Sequence, residues 1–279
     1  MFSFFANIFG WFLNLLYNLF QNYGLAIIVF SVCIKLILFP ISMKQQKTLK
    51  KSAKVQGKVK ELQNKYSNNP EKLNQEILEL YKSEKMSPFS GCLSSIVQII
   101  LLLSVFYLVR SPLTYMKKVE PSIIENYKQE ISEEAKNSAY PEIAIIQQFG
   151  SENEQLNINM NLLGLDLSAI PSKDLTNYKA LIIPALYVLT TFISIRLTNK
   201  MQQNSIKNKE QGSENSEKDE MDAVLNANKY MNLMMPLMSV TIAVMAPLGL
   251  ALYWLTNNIL MIIERLVLNK FFNNMEEED

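Results

Sequence analysis

Lys35 is the one charge in the apolar run GLAIIVFSVCIKLILFPISM, residues 24–43. A bilayer core about 30 Å thick takes roughly 20 helical residues, so this run can span it with Lys35 near mid-depth. An ammonium there costs about 2.5–3.5 kcal/mol on insertion scales, and such a charge faces protein or water rather than lipid. At 100° per residue, Gly24, Ser31, Lys35 and Ser42 share one stripe whose only apolar member is Ile28. That stripe predicts a wet groove holding Lys35; a lysine whose stem snorkels toward a headgroup is the alternative. The chemistry on offer is attraction of charge, not the making of bonds. The chain has no histidine, the commonest general base and metal ligand. Cys33 and Cys92 lie in separate apolar runs, which leaves no disulfide framework or CxxC metal site. No catalytic residue, metal or cofactor is expected.

Polar side chains interrupt the other apolar runs with similar order. Ser94, Ser95 and Gln98 open one run, which is greasy from Ile99 through Leu102 to Val109. Tyr187, Thr190, Thr191, Ser194 and Thr198 follow the i, i+3, i+4, i+7, i+11 spacing of one helical stripe. Serine and threonine can satisfy themselves on their own helix carbonyls, so the weight lies on the shared stripe and not on any one of them. Further on, Trp254 and Asn258 share one face, and Tyr253, Asn257 and Glu264 the next. Glu264 lies near a helix end and suits an interfacial carboxylate better than a proton carrier. Met231, Met234, Met235 and Met238 crowd another run, either as an adaptable apolar surface or as lipid-facing filler.

The charges between the runs orient them. Lys44, Lys47, Lys50, Lys51, Lys54, Lys58, Lys60 and Lys65 stand against one acid, Glu61. By the positive-inside rule this segment is cytoplasmic, which places the N-terminus outside and the C-terminus inside. Asn69-Pro70-Glu71 is a helix start, with a cap, a proline at the first helical position and an acid for the dipole. Leu73, Ile77, Leu80 and Tyr81 supply an apolar face up to Ser87-Pro88, so the segment reads as a helical hairpin. Its lysines can hug anionic lipid or dock RNA or a targeting factor, and the sequence does not separate the two. With these directions the polar residues fall at mid-depth or on the cytoplasmic side, and the outer halves are nearly dry. A pore needs polar lining throughout; this pattern predicts a cavity open to the cytoplasm and closed outside.

The fold expected is an all-α polytopic membrane protein with five transmembrane helices. Residues 1–22 form an amphipathic interfacial helix on the outer face, with Trp11 and Tyr17 at headgroup depth; an extra span is the alternative. Residues 23–43 are the first span, closed by Pro40, and 44–90 the lysine-rich hairpin. Residues 91–110 are the second span, and 111–178 an acidic extracytoplasmic loop with short surface helices, whose 162–167 rests on the membrane. Spans follow at 179–198, 230–247 and 248–268, separated by a low-complexity cytoplasmic loop at 199–229 and ended by an acidic tail at 269–279.

Several stretches carry a family resemblance: YGLAIIVFSVCIKLILFPIS, KYSNNPEKLNQEILELY, SPFSGCLSSIVQ, IPALYVLTTF and, most specific, MMPLMSVTIAVMAPLGLALYWLTNNIL. The chain resembles the YidC/Oxa/Alb membrane protein insertases over residues 12–110 and 162–268. The resemblance implies a bacterial cell-membrane insertase and folding helper, not an enzyme, with a groove open to cytoplasm and lipid. Incoming helices would slide along the second and fourth spans, past Ile99, Leu102, Met234, Met235 and Met238. Polar or acidic flanks would cross a groove lined by Lys35, Ser31, Ser42, Ser94, Ser95, Gln98, Tyr187, Thr190, Thr191, Ser194, Trp254, Asn257 and Asn258. Lys35 stands where the family commonly has arginine, which keeps the charge and loses the planar fork. Ser194 stands where glutamine is common, and Ser94 where the family's GCLP has proline. Lys44, Lys47, Lys50, Lys51, Lys54 and Lys58 are the expected cytoplasmic docking residues. The implied partners are nascent membrane proteins, the bilayer, and a ribosome–nascent chain, targeting factor or Sec translocon; DNA is not among them. A small transporter or channel lacks a mid-membrane carboxylate pair and inverted repeats here. A membrane-anchored scaffold using only the lysine hairpin is the third class weighed.

Overall fold

A computed structural model describes residues 2–67, 69–84, 90–174, 176–207 and 241–277, with side chains left undescribed at 2, 49–54, 56, 60, 90–98, 198–207 and 272–277. The described chain is mostly helical. Its main elements are α1 (Phe2–Phe20), α2 (Tyr23–Lys65), α3 (Pro70–Ser83), α4 (Ser90–Arg110), α5 (Pro121–Glu130), α6 (Glu133–Lys136), α7 (Pro141–Phe149), α8 (Tyr178–Lys207) and α9 (Leu248–Glu277). Among them Ser3–Phe20, Tyr23–Thr48, Tyr178–Leu197 and Leu248–Phe271 are long and apolar enough to cross a membrane, and Ile99–Arg110 is a shorter apolar helix. The expected fourth span, 230–247, lies outside the described residues except for helical 241–245 and the turn after it.

Contacts divide the chain into two compact units. The first comprises Met1–Ile37, Gln98–Thr191 and Pro236–Ile263, and the second Leu38–Val97, Phe192–Met235 and Glu264–Asp279.

In the first unit the ends of the spans are stitched by local capping. Gln21 takes a left-handed conformation (φ 49°) that stops α1. Asn22 then caps α2, its Oδ1 accepting from Leu25 N–H at 3.0 Å. The core is filled by Leu13 of α1, Phe30 of α2, Leu108 of α4 and Leu250 of α9, with Ile145, Leu156 and Leu167 of the segment between α4 and α8. Residues 111–178 were expected as a loop with surface helices. They instead form a folded cap: a π-helical turn (Leu113–Lys117), α5 to α7, and a hairpin of β1 (Asn161–Leu162) and β2 (Leu165–Asp166), whose buried apolar residues join the core shared with the spans. The polar composition of 128–138 and 151–159 hid Ile131, Leu156 and Ile158, which pack inward.

Tyr17 is also placed differently from expectation. It is buried, and its hydroxyl accepts from Asn159 N–H at 2.9 Å, so it serves the cap and not a lipid headgroup. Trp11 is exposed on the opposite face of α1. The buried face of α1 is Ala6, Gly10, Leu13, Leu16 and Tyr17.

Pro40 does not end the helix that contains it. α2 runs on as 43 residues to Lys65, roughly 65 Å at 1.5 Å per residue, twice the thickness of a bilayer core. One missing N–H in a long helix is a local loss, and the turns on either side continue it. In the second unit α3 begins as its sequence predicts. Asn69 Oδ1 accepts from Lys72 N–H at 3.1 Å, Pro70 opens the helix and Glu71 sits in its first turn. α3 ends at Ser83; the expected stop at Ser87-Pro88 lies outside the described residues. Tyr66 donates to Glu76 at 3.2 Å, and Lys58 pairs with Glu84, so side chains tie the end of α2 to α3.

Candidate functional site

The polar residues of α8 and α9 meet inside two apolar spans of the first unit. Asn258 Nδ2 donates to Thr191 Oγ1 at 3.0 Å and to Thr190 Oγ1 at 3.2 Å. Thr190 Oγ1 in turn donates to Tyr187 O at 3.0 Å. One turn away the rings of Tyr187 and Trp254 lie 6.2 Å apart, tilted by 34°. Asn258 is 7% exposed, so its amide needs these partners, because an unmet amide in an apolar interior costs several kcal/mol. Five residues from the predicted set, Tyr187, Thr190, Thr191, Trp254 and Asn258, are thus brought together. Their register also gives direction. Trp254 pairs with Tyr187 and Asn258 with Thr190 and Thr191, so residue numbers rise together and the two helices run parallel.

Asn257 lies next to this cluster on α9 and is partly exposed. On α2, Ser31 is buried and donates to Ile27 O at 2.7 Å, so its hydroxyl is spent on its own helix. Lys35 lies one turn further, at the flank of the buried face that Ile27, Phe30 and Ser31 define, and is partly exposed. Its neighbours Leu36 and Ile37 are exposed. Gly24, on the same stripe as Lys35, is buried, and a Cβ there would stand 2.8 Å from Leu162 and Leu167 side-chain carbons. The stripe therefore starts against protein and not against lipid. On α4, Ile99 and Leu102 of the expected slide are exposed, while Ser104, Val105, Leu108 and Val109 turn inward.

In the second unit, Ser194 is buried and accepts from Arg265 Nη1 at 3.3 Å. Ser42 is partly exposed, and Lys44 and Lys47 are exposed. Lys58, expected as a docking residue, is engaged with Glu84. The side chains of Ser94, Ser95, Gln98, Lys50, Lys51 and Lys54 are outside the described set, and Met234, Met235 and Met238 lie wholly outside the described residues.

Two polar residues of consequence were not singled out from sequence. Arg265 lies seven residues after Asn258, as Ser194 lies seven after Tyr187, so extending the α9 stripe by two turns would have found the partner of Ser194. Glu142 gave no local signal. It is 6% exposed, and it accepts from Leu113 N–H at 2.8 Å, Thr114 N–H at 3.0 Å and Thr114 Oγ1 at 2.6 Å. Burial raises its pKa above the ordinary glutamate value, and the bonds to Thr114 and Leu113 pull against that rise. Its partners lie 28 and 29 residues away in the chain, beyond any helical or strand period.

Apolar helices of spanning length, with polar side chains joined to one another inside them, define a multi-pass α-helical membrane protein. The model of the family described as 60Kd inner membrane protein matches residues 15–276, and the chain belongs to that family, the YidC/Oxa group. Among curated relatives, a protein named membrane protein insertase YidC from Chlorobium limicola is 46% identical over 91 residues, 33% of this chain and 16% of the relative. One of the same name from Francisella tularensis subsp. novicida is 38% identical over 109 residues, 39% of this chain and 20% of the relative. The matched stretches thus span a fifth or less of those relatives' length.

Proposed function

We propose that the protein inserts and helps fold membrane proteins through a hydrophilic groove open to the cytoplasm and to lipid, without a nucleotide or covalent step. The cluster of Tyr187, Thr190, Thr191, Trp254 and Asn258 carries the proposal, because it places polar groups inside helices whose length and composition otherwise call for lipid. Its kinship with proteins named as insertases supports the same function. Lys35 supplies the positive charge for polar or acidic flanks of a substrate, in a setting of low dielectric that strengthens the attraction. Its place beside the buried face of α2 supports a role toward protein-lined space. Exposed Ile99 and Leu102 offer an apolar track for the hydrophobic part of the same substrate.

Topology is part of the proposal. Tyr23 N–H donates to Asn159 O at 2.9 Å, and Leu248 N–H to Ala169 O at 2.9 Å, so α2 and α9 begin beside the cap that leads into α8. Five crossings follow, made by α2, α4, α8, the sequence-predicted 230–247 and α9, with α1 interfacial, the cap extracytoplasmic and the C-terminus inside. The lysines after residue 43 then face the cytoplasm, where Lys44 and Lys47 can meet a ribosome–nascent chain, a targeting factor or the Sec translocon.

Charge reversal tests the electrostatic part. Lys35→Glu should slow insertion of substrates with acidic translocated ends about tenfold, which corresponds to about 1.4 kcal/mol. Lys35→Arg should keep the rate. Normal insertion by Lys35→Glu in reconstituted vesicles would reject the groove charge. Site-specific photocrosslinking of a stalled nascent chain from residues 98 and 254 tests the path itself, since a scaffold would label only from the lysine segment.

A further inference from the structure

The β1–β2 hairpin of the cap ends in a turn whose residues are at odds with its backbone. Leu163 and Gly164 both have positive φ, 53° and 82°, the pattern of a two-residue turn that favours Asn, Asp or Gly. A branched apolar side chain in that conformation is uncommon and points to a purpose. Leu163 is 96% exposed, the most exposed large apolar residue among those described. The turn is well held: Asn161 Oδ1 accepts from Gly164 N–H at 3.0 Å, and Asn161 N–H donates to Asn159 Oδ1 at 3.2 Å.

The hairpin's height is fixed by the spans. Asn22 Nδ2 donates to Asn161 O at 2.7 Å, directly before α2 begins, and Leu162 packs on Gly24 in its first turn. Gly249 N–H donates to Leu167 O at 2.8 Å in the first turn of α9. Two apolar spans therefore start at the level of this hairpin. Charge follows the same division: residues 155–172 contain one charged side chain, Asp166, whereas 117–154 are rich in Lys and Glu. Asp166 is turned to its own turn, its Oδ1 accepting from Ser168 N–H at 2.9 Å and from Ser168 Oγ at 2.5 Å.

We infer that the hairpin tip inserts Leu163 into the bilayer interface where α2 and α9 begin, as an apolar anchor that sets the depth of the cap. The occupant is lipid, because the tip lies level with the start of two apolar spans, and Leu25, in the first turn of α2 next to the Gly24 that Leu162 packs on, is exposed. Burial of an apolar side chain in acyl chains offsets an unfavourable turn conformation. A protein partner at the tip is the competing occupant.

The test uses the full chain with Cys33→Ser and Cys92→Ser, a nitroxide on Leu163→Cys, and vesicles of phosphatidylethanolamine and phosphatidylglycerol. The label at 163 should collide with oxygen several times more often, relative to an aqueous nickel chelate, than the same label on Glu152→Cys. Equal aqueous accessibility at the two sites would overturn the inference and leave the tip to a protein partner. A second variant covers a label that perturbs the turn. Leu163→Asn suits the backbone, so it should raise Tm in detergent and raise it less, or lower it, in vesicles. The same gain in both would also overturn the inference.

Discussion

Glu142 and Asn258 are hidden polar side chains of one compact unit, 6% and 7% exposed, and they differ in what they bond. Glu142 accepts from two backbone groups, Leu113 N–H and Thr114 N–H, where the chain turns out of α4, as well as from the Thr114 hydroxyl. Asn258 bonds two other side chains, Thr190 and Thr191, across a helix pair. A backbone N–H exists whatever the neighbouring sequence, and burying it unmet is costly, so Glu142 serves the fold. The helices that carry Asn258 have already met their own backbone bonds and could pack with leucines alone. Polar groups there are optional for folding, which is the physical ground for proposing them as a site. Tyr17 and Asn159 behave as Glu142 does, and Tyr187 with Trp254 belongs with Asn258.

The contrast can be broken most severely at the capped end. Gly10 of α1 faces the π-helical turn, and a Cβ there would lie 2.0 Å from Tyr115 O. Backbone cannot yield as a flexible side chain does, so Gly10→Val should cost about 3 kcal/mol or more. The measurement is thermal unfolding in detergent. A loss below 1 kcal/mol would mean that the cap is held less firmly than its bonds imply.

Next in size is Glu142→Ala, which leaves the buried Leu113 N–H and the part-buried Thr114 N–H unmet and should cost about 2 kcal/mol. Glu142→Gln is gentler, since an amide oxygen can still accept from backbone and its nitrogen can donate to Thr114 Oγ1. The pH dependence separates the two effects. Burial raises the folded pKa of Glu142 above its unfolded value near 4.5. The folded state therefore holds the proton more firmly, and the stability from this group is present below about pH 4.5 and lost as pH rises through the folded value. Glu142→Gln removes that titration, so its stability relative to the parent should improve with rising pH. Unfolding midpoints across pH 4 to about 8 check the sign; a constant difference would mean that Glu142 titrates alike folded and unfolded.

What could be read from the chain follows the same division. Periodic features were legible: the polar stripe of Tyr187, Thr190 and Thr191, its partner face at Trp254 and Asn258, and the Asn69-Pro70-Glu71 helix start all rest on local spacing. The cap was not legible, because Glu142 meets Leu113 and Tyr17 meets Asn159 through contacts with no fixed period. Pro40 misled for a related reason: a proline penalty is local, whereas the length of α2 is set by the turns that follow it. Ser31 was legible as polar, yet its bond to Ile27 shows that spacing alone does not say whether a hydroxyl faces a groove or its own helix.

Asn258→Leu is the smallest perturbation of structure and the sharpest test of the comparison. It removes the donor to both Thr190 and Thr191, and Thr190 keeps its own bond to Tyr187 O. Polar bonds between membrane helices average about 0.6 kcal/mol, and leucine packs well against α8, so stability should shift by less than about 1 kcal/mol. Insertion of a substrate with a polar flank should nonetheless fall several-fold, because the cluster loses its most polar member. Glu142→Gln should do the reverse, with altered pH dependence of unfolding and normal insertion. If Asn258→Leu unfolds the protein as Glu142→Ala does, the amide is a structural tie like the carboxylate, and the α8–α9 cluster loses its claim to be the site.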